Sequence, residues 1–180
     1  MINIAMMYVT LMPVILGGIG NMLFTKTTFY KSHRKPIDGG KNIFGNNKTW
    51  IGALSMIVQV AFFQVLLSYT AITKYNYIYE NNENSFRLNL IIGLLLGIAY
   101  ILFELPNSFV KRRFNIEPGK TKNWFSYLID QIDSIVGVTI VLCFYTDMTI
   151  LKFLEYIILG AVTHSIINLI LYLTKIRKNI

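Results

Sequence analysis

Seven residues on two short segments stand out for chemistry. Asp130-Gln131-Ile132-Asp133 places two carboxylates three positions apart, and residues at i and i+3 share one face of a helix. Upstream, Glu104-Leu105-Pro106-Asn107-Ser108 leads into Lys111-Arg112-Arg113, a carboxylate and a hydroxyl followed by three cations. Two ionised carboxylates on one face repel each other. At bilayer depth each costs about 2.5–3.5 kcal/mol on insertion scales. A divalent cation neutralises such a pair, and hard oxygen donors without His or Cys suit Mg²⁺, which keeps waters and shares substrate phosphates. Gly137 continues the aspartate face and leaves room for an approaching group. The plainer alternatives are specific. Asp130 and Asp133 pair with Lys120, Lys122 or Arg112 at an interface; Lys111-Arg112-Arg113 is a topology signal or an anchor to anionic lipids; Glu104 snorkels to the surface.

A second chemical segment lies earlier. It reads Lys35-Pro36-Ile37-Asp38-Gly39-Gly40, then Phe44-Gly45-Asn46-Asn47-Lys48-Thr49-Trp50-Ile51-Gly52. Gly39, Gly40 and Gly45 can expose backbone N–H groups and take positive φ. Lys48 and Thr49 stand at the mouth of the next helix, a plausible phosphate site. The spacing of a Walker A loop is absent. The alternative is a basic loop that sets topology.

The elements that must carry these segments follow from composition. The chain has 180 residues, 54% hydrophobic and 14% charged, with mean hydropathy +0.50. A soluble domain carries about 25% charged residues, so the chain is expected to be a membrane protein rather than a soluble or disordered one. Five stretches reach the roughly 20 apolar residues that a span needs: 4–24, 50–73, 88–105, 125–146 and 150–174. The first lacks a preceding basic region and is long enough to span, so it is expected to be a membrane helix and not a cleavable signal peptide. It contains Pro13 and the run Gly17-Gly18-Ile19-Gly20, small residues that let another helix approach.

Charge orders these spans. Fourteen of the 17 basic residues fall in three segments, 25–49, 106–124 and the tail from Lys175. With five spans those segments share one side, which the positive-inside rule makes the cytoplasm. The expected fold is therefore an all-α integral membrane protein with five transmembrane helices. The N-terminus is outside, the C-terminus is cytoplasmic, and two functional cytoplasmic loops connect the spans of one domain over 1–180. This topology accounts for the net charge of +8 without nucleic acid. The outer connections, 74–87 and 147–149, offer little chemistry. One cysteine, Cys143, excludes an internal disulfide and reads as a small hydrophobe in an apolar run. Glu155 faces solvent or a neighbour at the outer end of the fifth span. His164, beside Thr163, Ser165 and Asn168, reads as interhelical hydrogen bonding.

The motifs resemble a known family. Ser108-x-x-Lys111-Arg112 followed by Asp130-x-x-Asp133 at the start of a membrane helix resembles the signature of the integral-membrane CTP:phosphatidate cytidylyltransferases. The closer similarity is to their small archaeal-type relatives, the CDP-archaeol synthases. These share the length, the five spans, and an inner loop like Pro36-Ile37-Asp38-x-Gly40 and Gly45-x-Asn47-Lys48-Thr49-Trp50-x-Gly52. The resemblance implies a multi-pass protein of the cell membrane that uses CTP, Mg²⁺ and a membrane lipid phosphate, either an isoprenoid-ether or an acyl glycerol phosphate. It implies Glu104, Asp130 and Asp133 as metal carboxylates, with Ser108, Lys111 and Arg112 against phosphates at the reacting centre. Asp38, Gly45, Asn47, Lys48 and Thr49 would bind the nucleotide. Two departures stand out. The larger bacterial enzymes carry Lys-Asp and His-Gly-Gly between the motifs, and 114–129 has neither. Their first carboxylate is an aspartate where this chain has Glu104.

Two rivals compete with this reading. A CDP-alcohol phosphatidyltransferase would need an Asp-Gly-x-x-Ala-Arg run, which is absent. A small channel or transporter subunit would need a polar path in mid-membrane, for which 163–168 is the candidate.

Overall fold

The computed structural model describes residues 4–176, so the tail residues Arg177 and Lys178 lie outside it. The described chain is helical: α1 (Ile4–Phe24), α2 (Thr28–His33), α3 (Trp50–Ser68), α4 (Ile78–Asn81), α5 (Phe86–Arg113), α6 (Trp124–Leu142) and α7 (Ile150–Leu173), with a 3₁₀ turn at Ala71–Tyr75. Five of these, α1, α3, α5, α6 and α7, are long and apolar enough to cross a membrane. Side chains such as Leu54, Val58 and Phe62 on α3 and Ile158, Val162 and Ile166 on α7 are exposed, as a lipid-facing surface requires. Trp50 and Trp124 begin α3 and α6, both more than half exposed, where interfacial indoles belong.

The bundle packs in the order α1, α3, α5, α6, α7, and α7 returns only lightly to α1. Small residues set the closest approach. A Cβ on Gly97 would lie 2.7 Å from Ile57 Cα, so the backbones of α5 and α3 meet directly. The room at Gly137 is taken by α5, since a Cβ there would lie 2.5 Å from Phe103 Cδ2. Met7, Leu11, Met56, Val60, Ile92, Leu96, Val138 and Tyr156 form the buried core.

Two expectations are corrected. The third span does not stop at 105. Helix α5 runs through Pro106 to Arg113, so Glu104 is well inside it and Ser108, Lys111 and Arg112 are helical. Proline removes one backbone donor and often ends a helix, but in membrane bundles neighbouring groups can satisfy the freed carbonyl. Of the two expected functional loops, 34–49 is a loop, and the other is divided, with 106–113 continuing α5 and 114–123 forming the connection to α6. The second and fourth spans are also shorter than expected, ending at Ser68 and Leu142.

The outer connection after α3 is more ordered than its polar sequence suggests. Tyr77 and Ile78 are buried, and Asn76 Oδ1 accepts from the Ile78 N–H at 2.9 Å and from Thr10 Oγ1 at 3.2 Å. Gln64 donates to Asn89 Oδ1 at 2.9 Å beneath it, and burial pushes the Tyr79 hydroxyl up to about 12. This polar knot closes the end of the bundle away from the loop 34–49.

Candidate functional site

The loop 34–49 is built by its own residues. Pro36 and Thr49 form an antiparallel bridge, with Ile37 N–H donating to Lys48 O at 2.8 Å and Trp50 N–H to Lys35 O at 3.1 Å. Inside that hairpin Asp38 gathers backbone donors: Ile43 N–H at 2.7 Å, Phe44 N–H at 3.0 Å and Gly40 N–H at 3.0 Å. The Phe44 N–H bond, with those of Gly40, Ile43 and Gly45, outweighs desolvation and holds the Asp38 carboxyl below its ordinary range. A depressed folded pKa contributes order above the unfolded value, lost as pH falls through the folded value. Hydrogen exchange at the Ile43 and Phe44 amides should therefore be protected at pH 7, with protection lost below about pH 4. Asp38→Asn should show the unprotected rate already at pH 7, and unchanged protection in that variant would overturn the assignment.

Thr49 caps α3. Its Oγ1 accepts from Gly52 N–H at 3.2 Å and lies 3.0 Å from Tyr30 Oη, which joins α2 to the cap. Gly45 has φ +94, a conformation that side chains resist, and a Cβ there would stand 3.1 Å from Arg112 Nη1. Glycine thus lets the loop close directly over the end of α5.

Beneath this loop lies a cavity of about 640 Å³, bounded by α1, α3, α5, α6 and α7. Of the residues expected from sequence, Asn47, Lys48, Thr49, Glu104, Ser108, Lys111, Arg112, Asp130 and Asp133 line it. Asp38 and Gly45 do not; they shape the loop. Five cations face the space: Lys26, Arg34, Lys48, Lys111 and Arg112, against the three carboxylates Glu104, Asp130 and Asp133. That excess suits a polyanionic ligand.

Within the wall the charges are cross-linked. Lys111 Nζ donates to Asp130 Oδ2 at 2.7 Å, so the cation that pairs with Asp130 is neither Lys120 nor Lys122. Lys48 pairs with Glu104, tying the loop to α5. Asn107, to which the sequence reading assigned no role, donates through Nδ2 to Asp130 Oδ1 and to Asp133 Oδ2, both at 2.7 Å. Arg112 is 7% exposed, and its Nε and Nη1 have no hydrogen-bond partner. Buried guanidinium N–H groups left without an acceptor are costly, so they mark the place for an anion.

The donor set bears on a metal ion. Glu104, expected as a third ligand, is engaged by Lys48. Among the described residues no three His, Cys, Asp or Glu side chains stand close enough together to hold a metal. Asp130 and Asp133 do converge, because one amide nitrogen bonds an oxygen of each. Two carboxylates completed by substrate phosphates is a usual arrangement for Mg²⁺, and the residues fit that ion in this form.

Residues beyond the sequence motifs complete the wall. Gln131, between the aspartates, accepts from Asn168 Nδ2 of α7 at 2.9 Å, and its carbonyl lies 3.4 Å from His164 Nδ1. Thr163 donates to Tyr8 Oη at 3.3 Å. Thr163, His164 and Asn168 therefore bond between helices, as expected. Asn107 had a readable signal. Positions 104, 107, 108 and 111 follow the i, i+3, i+4, i+7 pattern of one helix face, visible once the helix continues past Pro106.

In chemical class this is a polytopic membrane site for phosphate-bearing groups. A family model described as CarS-like, CDP-archaeol synthase, matches residues 1–180. The chain belongs to the CDP-archaeol synthase family, the CTP-dependent cytidylyltransferases of lipid phosphates. It is 28% identical over 151 residues to a CDP-archaeol synthase of Pyrobaculum islandicum, covering 81% of each chain. A CDP-archaeol synthase of Sulfolobus acidocaldarius is 22% identical over 179 residues, 99% of this chain and 98% of that one. One of Pyrococcus furiosus is 32% identical over 110 residues, 59% of this chain and 53% of that one. No solved structure matches the chain.

Proposed function

We propose that this chain couples CTP to a glycerol lipid phosphate at the cytoplasmic face of the cell membrane, releasing pyrophosphate and a CDP-lipid. A phosphate-monoester oxygen attacks the α-phosphorus of CTP. The bond from that phosphorus to the bridging oxygen breaks, and pyrophosphate leaves with the electron pair. The second pKa of the monoester is about 6, so at neutral pH the nucleophile is already ionised and needs no general base. The obstacle is repulsion between two anions. The observation that carries the reading is the single cavity in which Lys48, Lys111 and Arg112, with N–H groups that no protein atom accepts from, face the Asp130–Asp133 pair.

Arg112 offers two N–H groups to one phosphate, a geometry that suits phosphate oxygens. Lys111 holds Asp130 in place and adds charge near the reacting centre. Lys48 brings the loop's charge over the nucleotide, with Glu104 orienting it. Ser108 and Asn47 supply hydrogen bonds from the two sides of the cavity. Mg²⁺, held by Asp130 and Asp133, would neutralise phosphate charge and favour the departing pyrophosphate. The orientation follows from the charged end. Lys26, Arg34, Lys48, Lys111 and Arg112 share one cavity, and the positive-inside rule makes that end cytoplasmic.

The direct test is pyrophosphate release by the purified protein in detergent with CTP and Mg²⁺. The acceptors would be a panel of diacyl, dialkyl and isoprenoid glycerol phosphates. Release that depends on both CTP and an acceptor is expected. Release no greater than without acceptor, across the whole panel, would defeat the reading.

A further inference from the structure

A narrow cleft opens between α1 and α7, floored by Tyr100 of α5 and Ile135 of α6. Its enclosed part measures about 70 Å³, and its walls include Leu11, Val14, Ile167 and Leu171. It adjoins the polar cavity. Gly18, Met22, Tyr100, His164 and Asn168 border both spaces. At the junction Asn168 is 1% exposed and its Oδ1 has no hydrogen-bond partner. Gly18 presents open space, because a Cβ built there would meet nothing within 4 Å.

We infer that this cleft receives a hydrocarbon chain of the lipid phosphate acceptor, entering sideways from the bilayer between α1 and α7; this rests on the reaction proposed above. Three observations support it. The cleft is mostly apolar and lies directly against the cavity that holds the phosphate-binding cations, with five wall residues in common. From Met22 to Leu11 it follows α1 for eleven residue steps, about 16 Å of helix rise. That is about half of the 30 Å hydrocarbon core and so one leaflet deep. The two helices that flank it touch only lightly, so they can part as a chain enters. On the side away from the cavity, the bond from Thr163 to Tyr8 Oη ties α1 to α7 and sets how far the chain reaches.

Gly18→Leu puts a side chain at the mouth of the cleft, where a Cβ meets nothing within 4 Å. In the full chain it is expected to lower kcat/KM at least tenfold for a lipid phosphate with long chains. For a lipid phosphate whose chains have only a few carbons the loss should be at least fivefold smaller. Val162→Phe, on the exposed side of α7, should change neither acceptor. Loss with both acceptors alike, or with neither, overturns the inference.

A second measurement needs no turnover. A long-chain lipid phosphate with a diazirine in mid-chain, photolysed with the unsubstituted protein, should label 11–22 and 160–171. Labelling confined to outward positions such as Leu154 and Ile158 overturns the cleft. Cleft labelling without CTP-dependent pyrophosphate release defeats the reaction and leaves the cleft standing. Turnover with an unaffected Gly18→Leu does the reverse.

Discussion

Asp133→Asn should lower turnover at least a thousandfold, equivalent to ~4 kcal/mol of lost transition-state stabilisation. The side chain accepts from Asn107 Nδ2 at 2.7 Å, from Ser134 N–H at 2.6 Å and from Ser134 Oγ at 3.0 Å. Asparagine keeps the size and one acceptor oxygen, so the helix and its neighbours have little reason to move. It removes the negative charge that a cation would need. A neutral residue also inserts into a membrane more readily than a carboxylate, so loss of activity through failed insertion is not expected. The measurement is pyrophosphate release beside thermal unfolding in the same detergent. An inactive protein with an unchanged unfolding profile is the expected result. Activity near the original level at saturating Mg²⁺ would sink the metal role of the aspartate pair.

Arg112→Lys should lower kcat/KM about a hundredfold, or ~2.7 kcal/mol. This substitution separates two accounts of the same residue. A topology signal depends on charge alone, and lysine keeps it. A phosphate clamp depends on the planar fork of N–H groups, which lysine lacks. Arg112 is buried, its Nε and Nη1 are unpartnered, and the loop closes over it at Gly45. That surrounding shape fits a guanidinium, and a point charge on a flexible stem leaves part of the anion unpaired. The defect should appear as weaker use of CTP with insertion intact. Lysine performing as well as arginine would return the residue to the role of a membrane anchor.

Much of this protein was legible before folding was considered. Five apolar runs and three basic segments are local features, and the membrane itself enforces them. A span must satisfy its own backbone and present apolar side chains to lipid. The paired aspartates and the Ser108, Lys111, Arg112 run were readable for the same reason, since their spacing follows helix geometry. The end of α5 was not. Proline is a poor helix residue by local rules, and what overrides it is tertiary packing of α5 against α3 and α6.

Partnership was the other hidden layer. Asp38 reads as a ligand in sequence, yet its carboxylate is spent on the amides of its own loop. Glu104 reads as a third metal carboxylate, yet Lys48 reaches it from a loop 56 positions earlier in the chain. Composition and periodicity determined the membrane class, the number of spans and the sites of charge, because each depends on residues adjacent along one helix. Only the tertiary structure decided which charges meet, that buried N–H groups of Arg112 lack hydrogen-bond partners, and that an apolar cleft lies against the polar cavity. Those depend on distances between helices, which no single segment encodes.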